Sequence, residues 1–274
     1  MKFNIASRTL ANNFSNELPS GGLKWHLRAF LNRKKWGLLK NGLNTGLADW
    51  QVSKNELLLV GPSAGWTLPN AYLNQFSRIH AIDLDPLAKR LFLTNHPSLK
   101  NKLHWQTADY LEQLPQWLSA PENANTPLLF CNTLGQRGLH TENLDQTLAD
   151  FSKIQGWVKN HDWFSYHDRL SFQLPKHCNS HSIAKELSNS LSHLKQTGTL
   201  PTEQLLSALR LAGLRSTQGL QLEITDHCTE QVLPSTSSRT YQVWPMTSRN
   251  IHIIEMGFSS VKTLNLLNSE TTFT

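Results

Sequence analysis

The chain has 274 residues, 39% hydrophobic and 17% charged, which excludes intrinsic disorder and supplies apolar surface for a sizeable core. No apolar run approaches the roughly 18 to 20 residues that a membrane-spanning helix needs, and MKFNIASRTLANNF at the amino terminus lacks the apolar centre of a secretory signal. The three cysteines, Cys131, Cys178 and Cys228, are odd in number and far apart, which predicts a reducing, cytoplasmic compartment over a disulfide scaffold.

The formal net charge is +6, and six basic residues fall in KWHLRAFLNRKKWGLLK, residues 24 to 40. Trp25, Leu27, Phe30, Leu31, Leu38 and Leu39 are interleaved with Lys24, Arg28, Arg33, Lys34, Lys35 and Lys40. Such a helix can hold phosphates, which keeps nucleic acid open as a partner. The plainer reading turns the apolar stripe to the core and leaves the basic face in water. Residues 1–50 read as an N-terminal helical cover and residues 51–274 as the main domain.

From Glu56 onward, strand and helix signals alternate. Glu56 to Val60 predicts a strand, GPSAG a turn, and Leu68 to Phe76 a helix. Ile79 to Leu84 is the next strand, and DPLAKRLFLTN has helical period. KLHWQTAD reads as a strand ending at Asp109, and YLEQLPQWL as a short helix. Leu128 to Cys131, a helix from Asn143 to Val158, and the strand HDWFSYHDRLSF follow. Strands spaced by helix-length segments predict a parallel sheet with helices on both faces. The rhythm then changes. Residues 174–201, rich in His, Ser and Asn, read as an inserted lid with helical content, and TEQLLSALRLAGL as an amphipathic helix closed by Gly213. LQLEITDHCTEQVL and NIHIIEMGFS are strand-like, with a loop-like linker from Pro234 to Ser248, which predicts a closing antiparallel pair.

The turn Gly61-Pro62-Ser63-Ala64-Gly65 admits two chemistries. G-x-S-x-G presents the nucleophilic serine of α/β-hydrolases, while a glycine-rich strand-to-helix turn cradles nucleotide-like cofactors. A hydrolase needs an upstream oxyanion loop, and none is visible. Asp162 or Asp168 with His227 completes a triad order, but 12 histidines and 20 acids allow that by composition alone. The cofactor reading predicts an acid about 20 residues past the turn, on the ribose hydroxyls. Asp83 and Asp85 stand 18 and 20 residues after Gly65, and Asp109 is placed to meet an adenine amino group. Ser63 is then a small turn residue. For Asp85, capping the following helix is an equally good role.

Together, LLLVGPSAG, IHAIDLDP, HWQTADYL and PLLFCNTLG resemble the class I S-adenosylmethionine-dependent methyltransferases over residues 55 to 135. The resemblance implies a doubly wound, mostly parallel seven-stranded sheet with an antiparallel final strand and helices on both faces. It also implies S-adenosylmethionine as cofactor, with Gly61, Ser63 and Gly65 under its methionine part, Asp83 at the ribose, Asp109 at the adenine, and Cys131 and Asn132 beside the sulfonium. Two positions depart from the family pattern. Its strand-one acid is Leu59 here, and its middle glycine is Ser63. These departures leave open a methyltransferase-fold binding protein without catalysis. A nicotinamide enzyme fits less well, because the G-x-G-x-x-G spacing is missing.

Methyl transfer is an in-line displacement, so a base is needed only where the acceptor atom carries a proton. Asn132, Tyr166 and His167 are the candidate catalytic residues, with His167 the expected base. Arg169 is expected to pair with a substrate carboxylate or phosphate. Trp157, Trp163, Phe164, Tyr241 and Trp244 are expected in a substrate pocket or in ordinary core. His177, Cys178, His181, His227 and Cys228 are metal-capable types, but no C-x-x-C pair joins them and no metal is assigned. No N-P-P-Y-like tetrapeptide follows the fourth strand, which argues against methylation of an exocyclic base amine. The expected activity is methyl transfer to a small molecule. Nucleic acid binding through residues 24–40, an RNA methyltransferase and a Ser63 hydrolase are lesser alternatives, and no membrane partner is expected.

Overall fold

The computed structural model describes residues 3–5, 22–52, 54–137, 144–191, 194–211, 222–234 and 237–259. Gly213, the expected helix stop, lies outside them. Four short strands open the alternating region: β2 (Glu56–Val60), β3 (Arg78–Asp83), β4 (Leu103–Thr107) and β5 (Leu128–Cys131), with β1 (Phe3–Ile5) before them. The long β6 (Trp163–Gln173) follows, then β7 (Lys195–Thr197), β8 (Leu222–Asp226), β9 (Ser238–Pro245) and β10 (Asn250–Ser259). The main sheet path runs β4-β3-β2-β5-β6-β10-β9-β7. Strands β2 to β6 are parallel, and β10 is antiparallel to both β6 and β9. The expected seven strands are thus β2 to β6, β9 and β10, with β10 the reversed one. Strands β7, β8 and β1 are short additions to them.

The helices are α1 (Gly22–Asn32), α2 (Gly37–Asp49), α3 (Asn70–Asn74), α4 (Ala88–Asn95) and α5 (Tyr110–Ser119), then α6 (Leu144–Val158), α7 (Ser180–Leu191) and α8 (Thr202–Leu211). The run ELLLV is apolar on both sides because both faces of β2 are covered. Leu57 and Leu59 join Ile79, Ala81 and Leu129 in one core with α2, α3 and α4. Leu58 and Val60 turn the other way, packing with Ile82, Phe130 and residues of α5 and α6. This alternation puts helices on both faces, as the sequence predicts.

Three expectations change. The segment from Pro234 to Ser248 is not all loop: Arg239, Tyr241 and Val243 point inward from β9, which pairs with β10 over eight residues. The closing antiparallel pair is therefore β9–β10, while β8 pairs with β6 and β1. The described part of residues 174–201, where a lid was expected, packs onto the sheet. Their helix α7 buries Ile183, Ala184, Leu187 and Leu191 against Leu170, Val243, Ile251 and Ile253, as a core element of the sheet. In the basic segment, Leu39 is buried as expected, and α2 adds Leu43 and Leu47, but α1 turns His26 and Ala29 inward and leaves Leu23, Leu27, Phe30 and Leu31 exposed.

The loop after β5 is held against β6 with little clearance. A Cβ on Gly135 would lie 2.6 Å from the Asp168 carbonyl oxygen and 2.7 Å from its nitrogen, both backbone atoms that cannot swing aside. Gly135→Ala is expected to cost on the order of 1–3 kcal/mol, the range of overpacking. A lowered urea midpoint at unchanged slope checks this, and an unaltered midpoint refutes the close approach.

Candidate functional site

A cleft of about 810 Å³ opens where β2 and β5 meet, at their carboxyl ends, with β3 beside them. Strand order reverses there, and doubly wound sheets bind ligands at such a switch point. The Gly61–Gly65 turn forms one wall. Gly61, Ser63 and Gly65 have φ of 64°, 50° and 65°, so the turn needs residues that tolerate left-handed backbone. A Cβ on Gly61 would overlap the Thr133 methyl, which brings the turn hard against the loop after β5. Gly65 does not line the cleft; it faces away, toward His96 and Phe92 beneath the turn.

Two carboxylates organise the far wall. Asp83 ends β3 and accepts the Ser63 N–H at 2.7 Å and the Asp85 N–H at 2.8 Å, one on each oxygen. Burial pushes its carboxyl up to about 6, against the pull of those two amides. Asp85 accepts from the Leu87 N–H at 2.9 Å, which shapes the turn before α4 rather than capping the helix itself. Its other oxygen accepts from His26 Nε2 at 2.9 Å and from the Gly22 N–H at 2.8 Å, so it also moors α1. Trp66 Nε1–H donates to His26 Nδ1 at 3.4 Å, and Trp25 Nε1–H donates to Ser63 Oγ at 3.2 Å. The helix α1 thus roofs the cleft. Asp109 caps α5 through the Leu111 N–H at 2.9 Å and lines the cleft, with Arg137 Nη1 3.8 Å from its second oxygen.

The remaining wall comes from β5, β6 and β9. Cys131, Asn132, Tyr166 and Trp244 all line it. Burial drives the Cys131 thiol far above its ordinary range, so the sulfur is no nucleophile. Tyr166 Oη bonds Thr67 Oγ1 at 2.9 Å. Asn132 is committed internally: its Oδ1 accepts the Asp168 N–H at 2.8 Å and its Nδ2 donates to Asp168 Oδ2 at 3.1 Å. His167 is corrected as the base. Strand alternation points it away from Tyr166, into full burial, where its Nδ1 meets Ser165 Oγ at 3.0 Å. Burial and the nearby Arg239 and Arg169 drive its pKa far below the ordinary imidazole range. Arg169 is corrected as well: it is fully buried and pairs with Asp226 at 2.9 Å and Glu230 at 2.6 Å. Of the five expected pocket aromatics, Trp244 alone lines the cleft; Trp25, Trp36 and Trp66 do so instead.

Beside Trp244 lies a polar group that local sequence did not bring together. Asp168 Oδ1 accepts from His252 Nδ1 at 2.8 Å, and the His252 ring sits 5.4 Å from that of Trp244. Burial alone would raise Asp168, but His252, His227 and Asn132 outweigh it and hold the carboxyl down to about 2. His227 is tied to the Gly135 carbonyl at 2.9 Å and to Ser171 Oγ at 3.0 Å. Asp168, His227 and His252 each bring one ligand-type atom within 4.8 Å of the others, and this is the one such group among the described residues. His177, Cys178, His181 and Cys228 are not part of it. Ser63 has the Trp25 indole on its hydroxyl, and among the described residues no histidine is bonded to it to serve as a hydrolase base.

No family model matches the chain, and no curated protein matches it by sequence. Among solved structures it is similar to spermidine synthase from Thermotoga maritima, at 10% identity over 82% of this chain and 60% of that one, with a TM-score of 0.41. It is also similar to 1,6-didemethyltoxoflavin-N1-methyltransferase from Burkholderia thailandensis, at 11% identity over 84% and 80% of the two chains, with a TM-score of 0.40. A third is the N-methyltransferase NodS from Bradyrhizobium japonicum with S-adenosyl-L-homocysteine, at 13% identity over 92% and 95%, with a TM-score of 0.37. Likeness of this degree carries no residue role or substrate across. The strand order, the reversed β10 and the cleft at the β2–β5 switch point are together the doubly wound, mostly parallel arrangement that the resemblance to class I methyltransferases implies.

Proposed function

We propose that the chain transfers a methyl group from S-adenosylmethionine to a small-molecule acceptor. The observation that carries this reading is Asp83, a carboxylate at the end of β3 that lines the cleft with each oxygen spending one lone pair on a backbone amide. Its remaining lone pairs suit a vicinal diol, the ribose edge of the cofactor. The cofactor fits on two further counts. The cleft, at about 810 Å³, lies within the ~300–1,000 Å³ range of small-ligand sites, and the left-handed Gly61–Gly65 turn brings bare backbone to its floor. Asp109 would meet the adenine amino group. When bound, the cofactor supplies an activated methyl group; the chain's own residues orient and desolvate the acceptor.

Leu59 is fully buried in the core, so the strand-one acid of the family has no counterpart at the cleft. Arg28 and Lys24 in the roof, with Arg137, are the cationic side chains that line the cleft and would face a carboxylate on the methionine part. On the acceptor side, Trp36, Tyr166 and Trp244 offer aromatic surface for a small apolar molecule.

Calorimetric titration with S-adenosylmethionine, S-adenosylhomocysteine and, as control, NAD tests the proposal. Micromolar affinity for the first two, weakened at least about tenfold (roughly 1.4 kcal/mol) in Asp83→Ala and retained in Ser63→Ala, is the expected result. Absence of binding to either would shift the assignment to a binding protein with another ligand. Asp83 also makes a prediction that needs no ligand. Its folded pKa of about 6 lies above the ordinary carboxyl value of 3.8, so its contribution is fully present below pH 3.8 and is lost as pH rises through 6. At about 1.4 kcal/mol per unit, the loss approaches roughly 3 kcal/mol. Asp83→Asn, which cannot ionise, should therefore gain on the native chain between pH 3.5 and 7.5 in urea unfolding. A difference that stays constant across that range would show that burial of Asp83 is not what the geometry indicates.

A further inference from the structure

We infer that the outer face of α1 is a docking surface for an anionic lipid bilayer. Leu23, Leu27, Phe30 and Leu31 recur at the spacing of one helical face, and all four are more than half exposed. Leu84 and Leu87, the other exposed large hydrophobics among the described residues, flank Asp85, the carboxylate that moors α1. Leu23 and Leu84 both line the cleft, so the loop after β3 meets the amino end of the α1 stripe there. Contiguous exposed apolar surface of this kind marks an interaction site.

The orientation of α1 is held from beneath. His26 and the Gly22 N–H are fixed on Asp85, and Trp25 is fixed on Ser63, so the opposite side of the helix must face outward. Phe30 is braced by the Arg33 guanidinium, 4.4 Å from its ring centre, and by Trp66 at 6.4 Å, edge on. The apolar face is built in place rather than left loose.

Charge selects the occupant. Residues 22–48 contain Lys24, Arg28, Arg33, Lys34, Lys35 and Lys40 and not one acid. Lys24, Lys34 and Lys35 are exposed beside the apolar stripe. Of the stripe only Phe30 can stack on a base, so a nucleic acid would leave its three leucines unused. A second copy would set the same basic, acid-free segments against each other. Aliphatic and aromatic groups level with a basic fringe are what an interfacial helix presents to anionic headgroups. Contact of this kind requires no spanning helix, and none of the described helices is long and apolar enough to cross a membrane.

Co-sedimentation of the full chain with vesicles of phosphatidylcholine alone, and with a third phosphatidylglycerol, tests the inference independently of any methyl transfer. The expected result is binding to the anionic vesicles only, weakened at least about tenfold both by Leu27→Ser with Leu31→Ser and by Lys34→Glu with Lys35→Glu. These four side chains lie outside the cleft lining and are solvent-facing, so circular dichroism should match the native chain. No binding to anionic vesicles overturns the proposal. Binding that ignores the leucine changes also overturns it, because the stripe then inserts nowhere. Sedimentation equilibrium supplies the remaining outcome: a dimer abolished by Leu27→Ser with Leu31→Ser, without vesicle binding, would reassign the face to a second copy.

Discussion

Buried and half-buried backbone amides must be paired, and in this chain two neighbouring aspartates meet that demand at the point where the site is built. Asp83 takes the amide of Ser63 in the turn after β2 and the amide of Asp85 in the turn after β3. Asp85 takes the amide that begins α4's turn and then reaches to Gly22 and His26. One pair of side chains thus locks two parallel strands' loops to each other and to the helix above them. The left-handed turn, the position of the roof and the shape of the cleft all follow from that arrangement. It also explains why the acid at the end of β3 is half committed to structure before any ligand arrives.

A second buried polar assembly lies on the opposite face of the sheet. Arg169, Arg239 and Glu255 are fully buried, with Asp226 and Glu230 at the margin. Burial raises the Glu255 carboxyl while the two guanidinium groups pull it down. Glu255 Oε2 and Arg239 Nη1 find no hydrogen bond, so the assembly holds its charge by proximity rather than by complete pairing. Such clusters add little to stability for their desolvation cost, but removing one partner strands the rest. Gly257 is part of the same arrangement, since a side chain there would overlap the Arg239 guanidinium. The charged letters of β6 therefore serve two different faces: Arg169 and His167 join this cluster, while Asp168 turns toward the cleft side.

The roof helix joins the two themes of the molecule. Its inner side carries His26 and Trp25, because it covers a cleft rather than a sealed core. Its aliphatic side chains consequently face outward. The neighbouring α2 has the opposite polarity, with Leu39, Leu43 and Leu47 packed onto the sheet. Two adjacent helices of similar composition thus bury opposite kinds of surface, and what lies beneath each one decides which.

Local pattern was enough for the alternating strands and helices from Glu56 to Gln173, because both-sided burial makes parallel strands read as apolar runs and the intervening helices carry their own period. That Gly61, Ser63, Asp83, Asp109, Cys131, Asn132 and Tyr166 line one cleft was legible for the same reason: ligand sites of doubly wound sheets sit at strand ends, which the run boundaries mark. β9 was not, since Arg239 stands at a core position and polar residues fill its outer side. The face of His167 and Arg169 was not, because alternation is visible in a sequence while its phase is set by the neighbouring strands and by a bulge opposite Ile253 and Ile254. His252 and Asp168 stand 84 residues apart, and only the pairing of β10 with β6 brings them to one point. The sequence by itself determined the order of elements and the ends at which a ligand can sit, which depend on near neighbours in the chain. The tertiary structure alone decided which side chains reach the cleft, which charges are buried together and which way the roof helix faces, because those depend on surfaces that meet only after the sheet has closed.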